Sequence, residues 1–216
     1  MESEFNKYGV KNIRIPAYSG LRYKEYTIVK QEPTNKSEIG CLCSHIKALE
    51  YFVNTDLGDY CLIAEDDLSF DYVQYWKRNF WDYIGEIPKD FEIIQLVQTY
   101  STGHVRHSIM FPNQSVVMLR PQRYQRNIWG AVCYLIKKSA AQKLLASLPK
   151  RGPKYYLGNL VEKCSEPFLF SSLIGYTIPL FSSTHTFDST IHQNHVERIH
   201  VPSSTLVTQL WMNEAR

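Results

Sequence analysis

"CLIAEDDLSF", residues 61–70, passes from an apolar run to three adjacent carboxylates. Cys61, Leu62, Ile63 and Ala64 suit a buried strand. Glu65, Asp66 and Asp67 follow, and no basic residue comes until Lys77. Adjacent carboxylates repel one another and are costly to desolvate, so the arrangement asks for a cation or a dipole. At the carboxyl end of a strand in an open α/β sheet, side chains face the crevice where ligands bind. Glu65 and Asp67 are two residues apart, so an extended chain sends them to the same side. Two carboxylates there make a hard-oxygen site for Mg²⁺ or Mn²⁺. The competing reading is a helix start, with Asp66, Asp67 and Ser69 capping a helix over 70–84 whose dipole favours anions. Spacing alone leaves both open.

Upstream lies "PTNKSEIGCLCSHIKALEYFVNTDLG". Ile39, Leu42, Cys43, Ile46, Leu49 and Val53 recur at helical spacing, after start signals at Pro33, Thr34, Asn35 and Ser37. Cys41, His45, Ala48 and Phe52 lie on an adjacent face, so this helix is expected to be buried on more than one side. Asn54 and Gly58 mark its end. Earlier still, Val10, Ile13 and Ile15 predict a short strand stopped by Pro16.

Downstream, residues 70–86 read as one aromatic-rich helix with a stripe of Phe70, Val73, Trp76, Phe80 and Ile84, a core face rather than a base-stacking platform. Residues 90–98, "DFEIIQLVQ", read as a strand covered on both faces. Residues 99–127 are the least regular stretch, with "SVVMLR" as a short strand inside it. "GAVCYLI" predicts a strand, and "SAAQKLLASL" a helix capped by Ser139. Residues 149–160 read as a loop rich in Pro, Gly and Lys, "SEPFLFSSLIG" as a short helix and "YTIPLF" as a short strand. The tail, 182–216, is polar with four histidines. Strands alternating with helices predict a layered α/β sheet in a single domain over 1–216.

The chain has 216 residues, enough for one well-buried domain. No apolar run approaches the ~20 residues of a membrane span, so no transmembrane segment is expected. The opening "MESEFNKYGV" lacks the pattern of a secretory signal. Of five cysteines, four sit in apolar sequence and no CxxC pair exists, which favours unbridged thiols over a disulfide framework or a zinc site. The expected location is cytoplasmic, and luminal only with a targeting segment outside this chain. Residues 93–161 carry ten Lys or Arg and no Asp or Glu. That cationic block is either a solvated surface or a site for an anionic ligand such as a nucleotide diphosphate.

"SEIGCLCSHIKALEYFV", then "YCLIAEDDLSF", then "WGAVCYLIKKSAAQKLL" together resemble glycosyltransferase family 25, the lipopolysaccharide-biosynthesis and collagen β-galactosyltransferase group. The family pattern is a G-E-x-G-C-x-x-S-H helix, an apolar strand ending in E-D-D, and a later Y-G-T-x-A-Y-L-I strand. Here Ser37 stands for the first Gly, followed by Glu38, Gly40, Cys41, Ser44 and His45. Glu65, Asp66 and Asp67 fall on the acidic triplet, and Trp129, Gly130 and Tyr134 on the later strand.

The resemblance implies a GT-A-like (Rossmann-like) mixed sheet flanked by helices, and inverting transfer of a sugar from a nucleotide donor, usually UDP-linked, to a hydroxyl on a glycan or protein. It implies Mn²⁺ or Mg²⁺ held by Glu65 and Asp67, with His192 of the tail (His195 next) completing the shell and Asp66 touching the donor. Glu38, Ser44 and His45 are implied donor-site residues. The family commonly places a candidate base in a P-V-D-like segment; here "SEPFLF" offers Glu166, with Asp188 as the alternative. Arg106, Arg120, Arg123 and Arg126 are candidates for holding diphosphate or an anionic acceptor. The family also opens with an apolar V-I-N-L strand, and the present sequence is expected to begin after it. Two competing functions remain: a non-catalytic member that binds a glycan or protein, and a nucleic-acid-binding protein or metal nuclease. The second is disfavoured, because few Lys or Arg lie near the aromatic stripe, and no nucleic-acid partner is expected.

Overall fold

A computed structural model describes residues 2–30, 35–70, 73–76, 78–97, 99–100, 117–119, 128–129, 131–158, 165–178, 180–183 and 205–208. In chain order the elements are α1 (Glu2–Lys7), β1 (Asn12–Ile15), β2 (Thr27–Val29), α2 (Lys36–Asn54), β3 (Tyr60–Glu65), β4 (Leu68–Ser69), α3 (Phe80–Gly85), β5 (Ile93–Gln95), β6 (Thr99–Tyr100), β7 (Val117–Leu119), β8 (Ile128–Trp129), β9 (Cys133–Lys137), α4 (Lys138–Ala146), β10 (Lys150–Arg151), β11 (Lys154–Gly158), α5 (Ser165–Phe170), β12 (Gly175–Thr177), β13 (Ser182–Ser183) and β14 (Thr205–Thr208). Short 3-10 turns cover Gly20–Glu25 and Val73–Tyr75.

The apolar run of β3 is buried because it lies inside a seven-stranded sheet of order β1-β14-β3-β9-β5-β12-β7. Neighbours are antiparallel except β5 and β12, which are parallel. It follows that β1, β3, β5 and β12 run in one direction and end at one edge. Alternation along β3 splits its side chains between two cores. Cys61 and Ile63 join Ile93, Tyr134 and Ile136 beneath α2, α4 and α5, which supply Leu42, Ile46, Leu49, Phe52, Ala140, Leu144, Leu169 and Phe170. Leu62 and Ala64 join Ile94, Leu96 and Leu135 on the other face, covered by Phe5, Phe70, Tyr83, Ile84 and Phe181. Burying one such large side chain fully stabilises by about 1.5–3 kcal/mol. A mixed sheet with helices on both faces agrees with the expected α/β class; the near-absence of parallel pairing departs from a Rossmann sheet.

The long helix forms where its stripe and caps place it, with Asn35 Oδ1 accepting from Ser37 N at 2.9 Å. Four expectations are corrected. Among the described residues of 70–86 there is no single helix: a 3-10 turn precedes α3, which starts afresh at Asn79, where a capping box pairs Asn79 with Asp82. The stripe is still core, with Trp76 Nε1 donating to Leu180 O at 3.1 Å. Among the described residues, then, Asp66, Asp67 and Ser69 do not cap the expected 70–84 helix, and Ser69 lies in β4. At α4 the N-cap is Lys137, without a side-chain cap, so Ser139 does not cap it. Finally, the described part of the expected 149–160 loop, residues 149–158, is not a loop: β10 and β11 form a hairpin across Gly152, whose φ of 61° suits glycine, and β11 pairs parallel to β2. The tail expectation missed β14, which sits between β1 and β3.

Candidate active site

Helix α2 presents Cys41 and His45 four residues apart, hence one above the other on a single face. That face meets the end of β3. His45 is fully buried, and its Nε2 lies 2.9 Å from Glu65 Oε1. Its Nδ1 lies 3.0 Å from the Tyr134 hydroxyl, which β9 delivers opposite Ile63. Cys41 Sγ donates to the same Glu65 Oε1 at 3.4 Å.

The partners set the protons. An ionised carboxylate only accepts, so Nε2–H donates to Glu65. In the tautomer with its one proton on Nε2, Nδ1 accepts and the Tyr134 O–H donates to it. Burial pushes the Tyr134 hydroxyl well above its ordinary pKa, which keeps it a donor. The donors thus run in one direction, from Tyr134 through His45 to Glu65, with Cys41 adding a second. The backbone holds Glu65 as well, its N–H reaching Val132 O at 2.7 Å.

The site depends on close docking of α2. A Cβ on Gly40 would fall 2.8 Å from Gly20 N and 2.9 Å from Tyr18 O, so only glycine lets these backbones meet. Ser44 locks the contact: its Oγ accepts from Tyr18 N and donates to Gly40 O, each at 2.8 Å. Ser44, expected at the donor, therefore spends its hydroxyl on packing. Glu38 is half-buried in the first turn of α2 and accepts from Asn35 Nδ2 at 3.0 Å.

After Glu65 the chain turns at Asp66–Asp67 instead of continuing extended. Alternation therefore does not set where Glu65 and Asp67 stand. Glu65 faces α2, whereas Asp67 lies close enough to Cys133 to add to the burial that raises that thiol's pKa. Cys133 pairs with Ala64, on the face away from α2. Asp66 is exposed, and Glu65 and Asp67 are half-buried.

Glu166 lies on α5, where only Phe168, Leu169 and Phe170 have described side chains, all buried. Asp188, His192, His195, Arg106, Arg120, Arg123 and Arg126 lie outside the described residues. Three residues went unremarked as a site. Cys41 could have been found from its spacing to His45, and Tyr134 from a hydroxyl within an apolar strand. Gln95, a lone polar residue in "EIIQLV", is 1% exposed beside Tyr134 across β5 and β9, and its Oε1 accepts no hydrogen bond among the described residues.

A family model, glycosyltransferase family 25 (LPS biosynthesis protein), matches residues 19–155. The chain belongs to glycosyltransferase family 25. No solved structure matches it. The family 25 segment runs from the Ser19 turn that docks α2 into β11, and includes Gly40, Cys41, Ser44, His45, the acidic triplet and Tyr134. Family 25 membership gives glycosyltransferase chemistry in general, with a sugar donor and an acceptor. Among the described residues no helix is long and apolar enough to cross a membrane.

Proposed function

We propose that this family 25 protein is a metal-dependent inverting glycosyltransferase that moves a sugar from a nucleotide donor, UDP-linked, to a hydroxyl on a glycan or protein. The observation that carries the reading is the acidic triplet at the end of β3, with Glu65 oriented by the His45–Tyr134 chain. Glu65, Asp66 and Asp67 offer the carboxylate oxygens a hard ion takes, clustered at one strand end with two of them half-buried, and holding one ion between Glu65 and Asp67 would turn these two side chains toward each other from the opposite faces they occupy. Glu65 and Asp67 would hold Mn²⁺ or Mg²⁺. When bound, such an ion supplies positive charge against the diphosphate of the leaving group.

The remaining work falls to the chain. His45 and Cys41 fix the Glu65 carboxylate in one orientation, so no reorganisation is needed when donor arrives. Asp66, exposed beside it, would accept from sugar hydroxyls. Inversion requires a base on the face opposite the leaving group, and Glu166 and Asp188 are the carboxylates assigned to take the acceptor proton. The thiols of Cys41, Cys43, Cys61 and Cys133, none in a disulfide, favour a reducing, cytoplasmic setting.

Calorimetric titration of UDP-glucose, UDP-galactose and UDP-N-acetylglucosamine, with and without Mn²⁺, tests the reading. Heat with at least one donor, dependent on Mn²⁺, is expected. No heat with any donor would instead favour the non-catalytic binding module.

A further inference from the structure

We propose that Cys41, His45 and Glu65 form a site for a borderline transition-metal ion, with Zn²⁺ the best match. One ligand atom from each residue lies within 4.8 Å of the others. The separations are 2.9 Å for His45 Nε2 to Glu65 Oε1 and 3.4 Å for Cys41 Sγ to the same oxygen. Tetrahedral zinc with bonds of about 2.0–2.3 Å sets its ligand atoms about 3.3–3.5 Å apart. To reach that geometry the His45–Glu65 contact opens by about half an ångström, and Cys41 Sγ and His45 Nε2, which lie within 4.8 Å of each other, come to about 3.5 Å.

The chemistry favours a borderline ion over a hard one. Thiolate, imidazole and carboxylate together are a zinc donor set, whereas Mg²⁺ takes oxygen. Cys41 and His45 share one face of α2 a single turn apart, on a helix docked closely through Gly40. The second nitrogen of His45 is already held by the Tyr134 hydroxyl, the outer-shell partner that orients a metal-bound imidazole. Proton accounting closes. Binding removes the Cys41 thiol proton to solvent. It moves the imidazole proton from Nε2 to Nδ1, from which it donates to the Tyr134 oxygen, while the Tyr134 hydrogen turns away. One proton is released per ion.

His45 is fully buried, while Cys41 is half-buried and the Glu65 side chain is 17% exposed. Three protein ligands with a partly open side make a site that keeps a fourth position for water or a substrate atom, unlike a closed structural centre. The proposal stands apart from the donor reading, although both use Glu65. Its readout is optical and stoichiometric, so either can fail alone.

The test strips the full chain with a chelator and titrates it with Co²⁺, then Zn²⁺. One equivalent of Co²⁺ should produce thiolate-to-cobalt charge-transfer absorption in the near ultraviolet and four-coordinate visible bands, both abolished by Zn²⁺. Cys41→Ser should lose the charge-transfer band, whereas Cys43→Ser and Asp67→Ala should keep it. Glu65→Gln should weaken Co²⁺ binding at least ~10-fold. A folded wild-type chain without the band, or a band that persists in Cys41→Ser, overturns the site. If Cys41→Ser does not fold, alkylation of the wild-type chain followed by peptide mass mapping decides. Zn²⁺ should slow modification of Cys41, and an unchanged rate overturns the proposal.

Discussion

Gly40→Ala sets helix propensity against packing, and the two predict opposite signs. Alanine in place of glycine within a helix gains about 0.8–1.0 kcal/mol. At Gly40 the new methyl would stand 2.8 Å from Gly20 N, 2.9 Å from Tyr18 O and 3.1 Å from Gly20 Cα. All three are backbone atoms, so no rotamer change relieves the clash. The methyl overpacks the contact, at about 1–3 kcal/mol, and also pushes α2 away from residues 18–20. Lifting weakens the Tyr18 N–Ser44 Oγ bond of 2.8 Å, worth about 1 kcal/mol. After the propensity gain, the variant should lose about 1–3 kcal/mol. For a chain of this size each kcal/mol moves Tm by about 2–4 °C, so a fall of roughly 3–10 °C is expected. Gly85→Ala is the control, since a Cβ there meets nothing within 4 Å and Gly85 ends α3. It should be neutral or gain about 0.5 kcal/mol. Urea denaturation of both variants measures the difference. A Gly40→Ala variant as stable as wild type, or more so, refutes the close docking of α2.

Two further outcomes follow from the same contacts. Tyr134→Phe removes the donor to His45 Nδ1 and leaves that nitrogen buried. It should cost about 1–3 kcal/mol in chemical denaturation, and no loss would mean that the bond is absent. The alkaline limb of stability is the second. Burial pushes the Cys43 thiol up to about 12 from an ordinary 9.0. Burial, reinforced by the Glu50 carboxylate 2.5 Å from each hydroxyl, raises Tyr26 and Tyr155 above their ordinary 10.0. Above the unfolded values the folded chain keeps protons that the unfolded chain has released, so unfolding free energy falls as pH rises. Denaturation midpoints should hold near neutral pH and decline from about pH 9 upward, and a flat profile to beyond pH 10 would contradict these burials.

What the sequence shows and hides follows from the range of each interaction. α2 was legible because its stripe and the Asn35 cap are local. β3 was legible because a continuous apolar run matches a strand with a core on each side. The aromatic stripe of 70–86 misled because helical spacing also suits separate short turns on one core. The capping pair Asn79 and Asp82 was the local signal of a fresh start. The β10–β11 hairpin was hidden because Gly152 and Pro153 read alike in loops and tight turns. Strand direction is set by tertiary pairing, so the antiparallel order, with β14 between β1 and β3, had no local sign.

The site divides in the same way. The triplet itself was conspicuous as a charge anomaly. That Glu65 would face His45 while the chain turned at Asp66–Asp67 depends on how Gly20, Gly40 and Ser44 seat the helix, a contact between distant segments. In the sequence Cys41 reads only as a buried helix position, because its pairing with His45 gains meaning only once Glu65 lies beneath both.

The central claim, that the end of β3 handles a nucleotide sugar, is tested most directly by donor turnover. Release of UDP from the UDP-sugar that binds, followed with Mn²⁺ and after chelation, should be detectable for the wild-type chain and vanish without the ion. Asp67→Ala should lose it while keeping the wild-type far-ultraviolet spectrum. Turnover that is unchanged by Asp67→Ala, or indifferent to chelation, would contradict the account.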